Sequence, residues 1–439
     1  MDILALKQRA WDEIDANRGQ IFSIGNTVLE NPEMGFQEWK TAELVKDVFR
    51  GLKIPYEENL AITGVKGTVR THQNGPTVCL IGEMDAITCA SHSFADPSTG
   101  AAHACGHHAQ IAFLLGCAIG LAPVLRHLEG NLVFLAVPAE EFADLDYRRT
   151  LAAAGKIRFY SGKQELFRIG AFDGSDLVMM THAQGETPGK GVFLEGSSLG
   201  FLSKTIRFSG KAAHAGGAPH EGINALNAAS IAMMCINAQR ETFRDGDSIR
   251  VHPIITKGGE LVNVVPAEVI METYVRGNNF QAIQGAADKV DRAVTGAAYA
   301  IGATAHISNL PGYLPLKQDQ MLSKIFEKNT AGFVEAASLH HGIDMVGSSD
   351  IGDISHLLPT IQPTFGGFSG SAHSPGFRVA DPELAYLYPA KMMAGAVIDL
   401  LANHAEKARQ VKQQFRPILT RKAYLERLES AYAQNTDQR

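Results

Sequence analysis

Three short runs without a charged residue constrain this chain more than anything else in it: 77–81 (TVCLI), 131–137 (NLVFLAV) and 177–180 (LVMM). Each is short, mostly apolar and bounded by turn-forming or polar residues. That is how strands buried on both faces read. Between them apolar residues recur at helical spacing. One such stretch runs over 3–28 and stops at Asn31-Pro32, a second covers 39–52, and a third, almost wholly apolar, covers 110–121. Strands alternating with helices predict βαβ units: an α/β fold with a mostly parallel sheet flanked by helices.

Near residue 195 the pattern changes. Residues 205–208 (TIRF) alternate polar and apolar, as a half-exposed strand does. A helix is predicted over 225–239, strands over 249–255 and 269–275, and a helix over 284–300. Two strands and a helix, repeated, predict a small α+β sandwich of about 110 residues. Beyond Pro311-Gly312 come a helix over 320–335, a Gly/Ser-rich region over 342–376, a long helix over 382–408, and a charged tail, 410–439, expected as a surface helix.

Composition excludes several classes. At 439 residues, 45% hydrophobic and 20% charged, the chain is an ordinary globular sequence long enough for two or three domains. Its formal net charge is −6, so no basic excess points to nucleic acid or to an acidic membrane surface. The most apolar stretch, 111–125, is shorter than the roughly 20 residues a spanning helix needs. Charges at Asp2, Lys7, Arg9, Asp12 and Glu13 break any signal-peptide pattern. The five cysteines, Cys79, Cys89, Cys105, Cys117 and Cys235, form no C-x-x-C pair, which fits a reducing compartment. The expectation is a cytoplasmic protein with no membrane and no nucleic-acid partner.

Chemistry gathers at the C-terminal ends of the predicted strands, where open α/β sheets place their ligands. After 77–81 come Glu83-Met84-Asp85. Before the 110–121 helix come His103-Ala104-Cys105-Gly106-His107-His108. After 131–137 come Glu140-Glu141, and after 177–180 Thr181-His182. A late glycine-rich loop carries His373. Read alone, each has a plain alternative: a buried Cys beside a surface His, an acidic turn, a hydrogen-bonded His. Cys105 and His107, at i and i+2 on an extended loop, can point the same way and suit a transition metal. Adjacent carboxylates on a strand point to opposite sides, so one can ligate a metal while the other moves a proton. Asp85 suits the group that orients a ligand imidazole. Cys105, His107, Glu141, His182 and His373 make five ligands, one more than a tetrahedral zinc site uses. Five suit two metals roughly 3.5–4 Å apart with a shared ligand.

The ordered set GEMDAI, HACGHH, VPAEE, THA and SGSAHSPGF resembles the M20 family of metallopeptidases, in its amidohydrolase branch (subfamily D), and is particularly close to the aminobenzoyl-glutamate hydrolase B-subunit type, N-acyl-amino-acid hydrolases and related dipeptidases. NPEMGFQEWKTAEL, GKAAHAGGAPHEGINALNAA, GGELVNVVPAEV and SSDIGDISHLLPTIQPTFGG extend the resemblance over nearly the whole chain. It implies a discontinuous metal-binding catalytic domain, 1–196 and 311–439, with an inserted lid and dimerisation domain, 197–310. It implies metals on Cys105, His107, Glu141, His182 and His373, with Cys105 as the bridge, Glu140 as general base and Asp85 as the orienting acid. It places His214 as a lid histidine that reaches the partner subunit's site, and Asn263 and Arg276 as substrate contacts. The implied activity is hydrolysis of the amide bond of an N-acyl or N-aroyl amino acid, or of a small dipeptide-like substrate. Two divalent ions (Zn, Mn, Ni or Co) would lower the pKa of a bound water, Glu140 would take its proton, and the working form would be a homodimer.

Four features depart from the branch, one of them Ser349-Asp350 where many members have Ser-Glu-Asp. His108 stands where Asp or Asn is usual, and Gln110 where many members have a further His. The 144–172 segment is longer and rich in Arg, Lys and aromatics, which suggests a pocket wall with bases near an acidic substrate. Two rival readings remain: a metal-bound scaffold without activity, which has no need of Glu140, and a serine hydrolase. For the latter Gly196-Ser197-Ser198-Leu199-Gly200 matches G-x-S-x-G around Ser198, but a strand rather than a helix is predicted after it.

Overall fold

The computed structural model describes residues 2–186 and 191–436. The chain divides into two compact units, one of Met1–Ser197, Lys317–Asp344 and Asp353–Leu419, the other of Ser198–Leu316, Met345–Gly352 and Thr420–Arg439.

The first unit is built on a six-stranded sheet in the order Tyr56–Leu60, Gly64–Val69, Asn131–Val137, Thr77–Glu83, Leu177–Met180 and Thr360–Ile361. Thr77–Glu83 lies between Asn131–Val137 and Leu177–Met180, parallel to both, and Thr360–Ile361 adds a further parallel neighbour. The two edge strands at the other side run antiparallel. The three uncharged runs are therefore the centre of the sheet. They carry no polar face because helices cover both sides.

Every residue of the His107–Leu121 helix is buried, and Tyr388–Leu401 is almost as deeply enclosed. Counted with their continuations, His107–His127 and Glu383–Leu401 are long and apolar enough to cross a membrane, a length that the 111–125 stretch did not suggest. Most of both lies inside this unit, so core burial accounts for their composition.

The second unit is an antiparallel sheet with Glu268–Gly277 and Gly200–Ser209 at its centre, Thr304–Pro311 beside the latter, and the short Arg250–Val251 and Ile254–Lys257 strands on Glu268–Gly277. Burial alternates strictly along Glu268–Gly277, as one covered face requires. The helices Ala225–Ala238 and Phe280–Ile301 supply the cover. Each starts at an asparagine whose side chain accepts backbone N–H groups of the first turn: Asn224 from Leu226 and Asn227, Asn279 from Ala282.

Several boundaries move. The 3–28 stretch is two helices, Ile3–Ala16 and Arg18–Glu30, parted at Asn17. The 320–335 helix ends at Glu327. The 382–408 stretch is interrupted where Asn403, His404 and Ala405 all take positive φ. The tail is not one helix: Glu406–Gln414 stops before Pro417, and Arg421–Thr436 follows. The compact units also differ from a plain 197–310 insertion. Arg421–Thr436 packs on the Thr304–Pro311 strand, and Arg427 lies 3.8 Å from the Phe280 ring centroid, so the tail groups with the second unit.

Candidate metal centre

The first unit brings all five proposed ligands together from four separate stretches of chain. Cys105 and His107 flank Gly106, which takes φ +87° to start the His107–Leu121 helix. A Cβ at Gly106 would lie 2.4 Å from the Cβ of Ala183, so only glycine lets the loop pass beside the His182 segment. His182 opens a short strand paired with Thr364. His373 has φ +60° in its loop, and its N–H donates to the Ala104 carbonyl at 2.8 Å.

The two glutamates lie past the end of their strand, not on it. Asn131–Val137 stops first, and Pro138 and Ala139, the latter at φ +51°, turn the chain. The turn, rather than strand alternation, separates their duties. Glu141 Oε1 lies 3.3 Å from His373 Nε2, while Glu140 Oε2 lies 3.8 Å from His107 Nε2.

Three donor clusters result, each with its atoms within 4.8 Å of one another: Cys105, His107 and His182; Cys105, Glu141 and His373; and Glu83, His107 and Glu140. Cys105 is common to the first two. Its Sγ lies 3.8 Å from His182 Nε2 and 3.3 Å from His373 Nε2.

Orientation comes from neighbours that only accept. The ring of His107 donates from Nδ1 to the Asp85 carbonyl oxygen at 2.8 Å, with Asp85 Oδ1 at 3.2 Å. The other carboxylate oxygen of Asp85 accepts the Glu141 backbone N–H at 2.9 Å. His182 Nδ1 faces the Ala183 carbonyl at 3.0 Å. In both histidines Nε2 is left facing the cluster.

Electrostatics and unmet hydrogen bonds both favour cations here. Burial opposes ionisation of the Cys105 thiol, but His107, His182 and His373 outweigh it and hold the thiol well below its ordinary value. Beside that sulfur and the Glu141 carboxylate, His373 is pushed up to about 11. His107 Nε2 and Glu141 Oε1 are buried without a hydrogen-bond partner. Orphaned donor atoms around a thiolate and several carboxylates fit divalent ions.

His214, Asn263 and Arg276 belong to the second unit. Its fold joins the first two: His214 bridges Val264, and the Ala215 N–H donates to the Asn263 carbonyl at 2.9 Å. Both side chains are exposed. The Gly216 and Gly217 amides donate to His214 Nδ1 at 3.2 and 2.9 Å, so its proton sits on Nε2. Arg276 is half-buried, donates to Ser348 Oγ at 2.8 Å and lies near the Phe201 and Tyr274 rings. Ser198 is buried and leads into the Gly200–Ser209 strand, so the strand–turn–helix of a nucleophile elbow is absent.

Sequence reasoning gave Glu83 no role and did not single out Lys163; the two are buried and paired with each other. The 144–172 segment forms two helices, Leu145–Ala153 and Gly162–Arg168, and two of its bases point inward rather than toward a pocket. Arg148 donates to the Tyr160 carbonyl at 2.5 Å and to the Glu141 carbonyl. His108 is fully buried against Phe368 and Tyr386, and burial holds it well below its ordinary value.

Residues 197–301 match the peptidase dimerisation domain family. The chain is 25% identical to Xaa-Arg dipeptidase of Mus musculus, covering 90% of this chain and 89% of that one. It is 26% identical to the IAA-amino acid hydrolase ILR1-like 2 of Arabidopsis thaliana, covering 88% and 86%. The fold matches the Bacillus subtilis YXEP protein, a dinuclear metal-binding peptidase of the M20 family, with a TM-score of 0.68 and 21% identity over 88% of this chain and 99% of that one. Residues 197–301 therefore carry the M20 peptidase dimerisation domain. The fold is that of M20 peptidases, and the chain is a hydrolase similar to members of that family.

Proposed function

We propose that this hydrolase cleaves the amide bond of an N-acyl or N-aroyl amino acid, or of a small dipeptide-like substrate, at a two-metal centre. The observation that carries the reading is the pair of donor clusters sharing Cys105, with Glu140 beside them. Cys105, His107 and His182 would hold one ion, and Cys105, Glu141 and His373 the other. Such ions supply Lewis acidity and a nucleophile at neutral pH. Zn or Mn is the proposed pair, with the thiolate favouring Zn.

The chain's own groups do the rest. Glu140 takes the proton of the attacking water and returns it to the leaving nitrogen. Asp85 keeps His107 and the Glu141 backbone in place. The Nε2–H of His214, from the lid of a second copy, donates to the oxygen that gains charge. Asn263 and Arg276 contact the substrate. The homodimer through the lid and a cytoplasmic location belong to the same proposal.

The test offers purified protein with added Zn or Mn a panel of N-acyl, N-aroyl and dipeptide amides, read by mass spectrometry, with Glu140→Ala beside it. Turnover that falls by a factor of about 10²–10⁴ in Glu140→Ala supports the reading. Unchanged turnover contradicts it.

A further inference from the structure

Glu83 closes the Thr77–Glu83 strand and is completely buried. Three side chains surround its carboxylate. Lys163, equally buried, pairs with Oε1. Gln110 donates from Nε2 to Oε2 at 2.6 Å, and its own oxygen accepts the Glu83 backbone N–H at 3.1 Å. The same Oε2 lies 3.1 Å from His107 Nε2.

That last approach is not a hydrogen bond, since His107 Nε2 has no partner. With Nδ1 held by the Asp85 carbonyl, Nε2 is the nitrogen turned toward an ion. An ion bound there has the Glu83 oxygen within reach as well. The spacing suits a shared ion. Two donors about 2.1 Å from a common ion, at tetrahedral or slightly smaller angles, lie roughly 3.1–3.4 Å apart. The Glu141–His373 pair in the other cluster has the same spacing, 3.3 Å.

We propose that Glu83 is a further protein ligand of the ion held by Cys105, His107 and His182, and that Lys163 and Gln110 are the positioning residues that aim it. Three protein ligands become four at that ion. The proposal accounts for two oddities of the sequence together. Gln110 replaces a histidine because its amide must serve Glu83 at both ends. The basic 144–172 segment brings Lys163 inward because a buried carboxylate needs a cation of its own. A buried pair of this kind adds little net stability, so geometry is what it supplies.

The inference rests on the two-metal reading, and the test separates the two. Zn²⁺ alone is titrated calorimetrically into metal-free full-length protein, with thermal unfolding as the check on folding. Glu83→Gln keeps the shape, and Glu83→Gln/Lys163→Met also removes the ammonium that would otherwise be left buried. The expected result is that one ion binds at least about tenfold more weakly in both variants, while the other keeps its affinity. Lys163→Met alone weakens that same ion, which a general loss of packing would not single out. Zinc-loaded wild-type crystals give a reading independent of any variant: a Glu83 oxygen about 2.0–2.2 Å from the ion is expected. Both ions bound with wild-type affinity in the folded double variant, or no Glu83 oxygen within about 3 Å of either ion, overturns this inference and leaves the proposed function standing. A wild type that takes up no zinc overturns both.

Discussion

The ring of His107 donates to the main-chain oxygen of Asp85 at 2.8 Å, and this one bond decides which nitrogen faces the donor cluster. Asp85 also accepts the Glu141 backbone N–H, so a single residue sets one ligand of each proposed ion. Asp85→Ala keeps the main-chain oxygen but removes the carboxylate that accepts the Glu141 N–H and lies beside His107, so metal binding should weaken by about 10–100-fold, most at the Glu141 site. Competition against a coloured chelator measures it, and undiminished affinity would show that the ligands are fixed some other way.

Gly106→Ala should both destabilise the fold and disturb the metal site. The added Cβ meets Ala183 at 2.4 Å, in a backbone conformation at φ +87°. The strain alone costs about 1–3 kcal/mol, and relief requires Cys105 or His107 to shift. Gly155→Ala is the control, because Gly155 has φ +69° but nothing within 4 Å. The control should lose stability without losing metal affinity.

Glu38 predicts a pH dependence. It is fully buried, accepting from Thr63 Oγ1 at 2.5 Å and from the Ala139 N–H at 2.8 Å. Burial first, and the charge of Asp85 second, push its carboxyl up to about 8. The folded state thus holds a proton that the unfolded chain releases near its ordinary value of 4.5. The stability it contributes is complete below that value and is lost as pH rises toward 8, by up to about 1.4 kcal/mol per unit. Urea unfolding at pH 5, 6.5 and 8 should show wild type losing stability relative to Glu38→Gln as pH rises. Parallel curves would refute it.

The sheet was legible because its central strands, TVCLI, NLVFLAV and LVMM, are apolar on both faces. The edge strands escaped notice. Tyr56–Leu60 is exposed at three of its five positions and offers no apolar run. The parting of the first two helices at Asn17 was hidden because Ile14 and Ile21 are buried in one core on either side of it, so the periodicity continues across the break. The ligands could be found because each sits within a short motif, four of them beside a strand or helix end and His373 in a glycine-rich loop. Glu83 and Lys163 are 80 residues apart and meet only in the folded sheet. Locally, Glu83 reads as the polar end of a strand and Lys163 as one base among several.

The central claim is a dinuclear centre bridged by Cys105. The most direct measurement is zinc stoichiometry by mass spectrometry after loading and dialysis, on wild type and on Cys105→Ala. Two ions per wild-type chain, with both sites weakened together in Cys105→Ala, is the predicted result. A single ion in wild type, or two ions retained with unchanged affinity in Cys105→Ala, would contradict it.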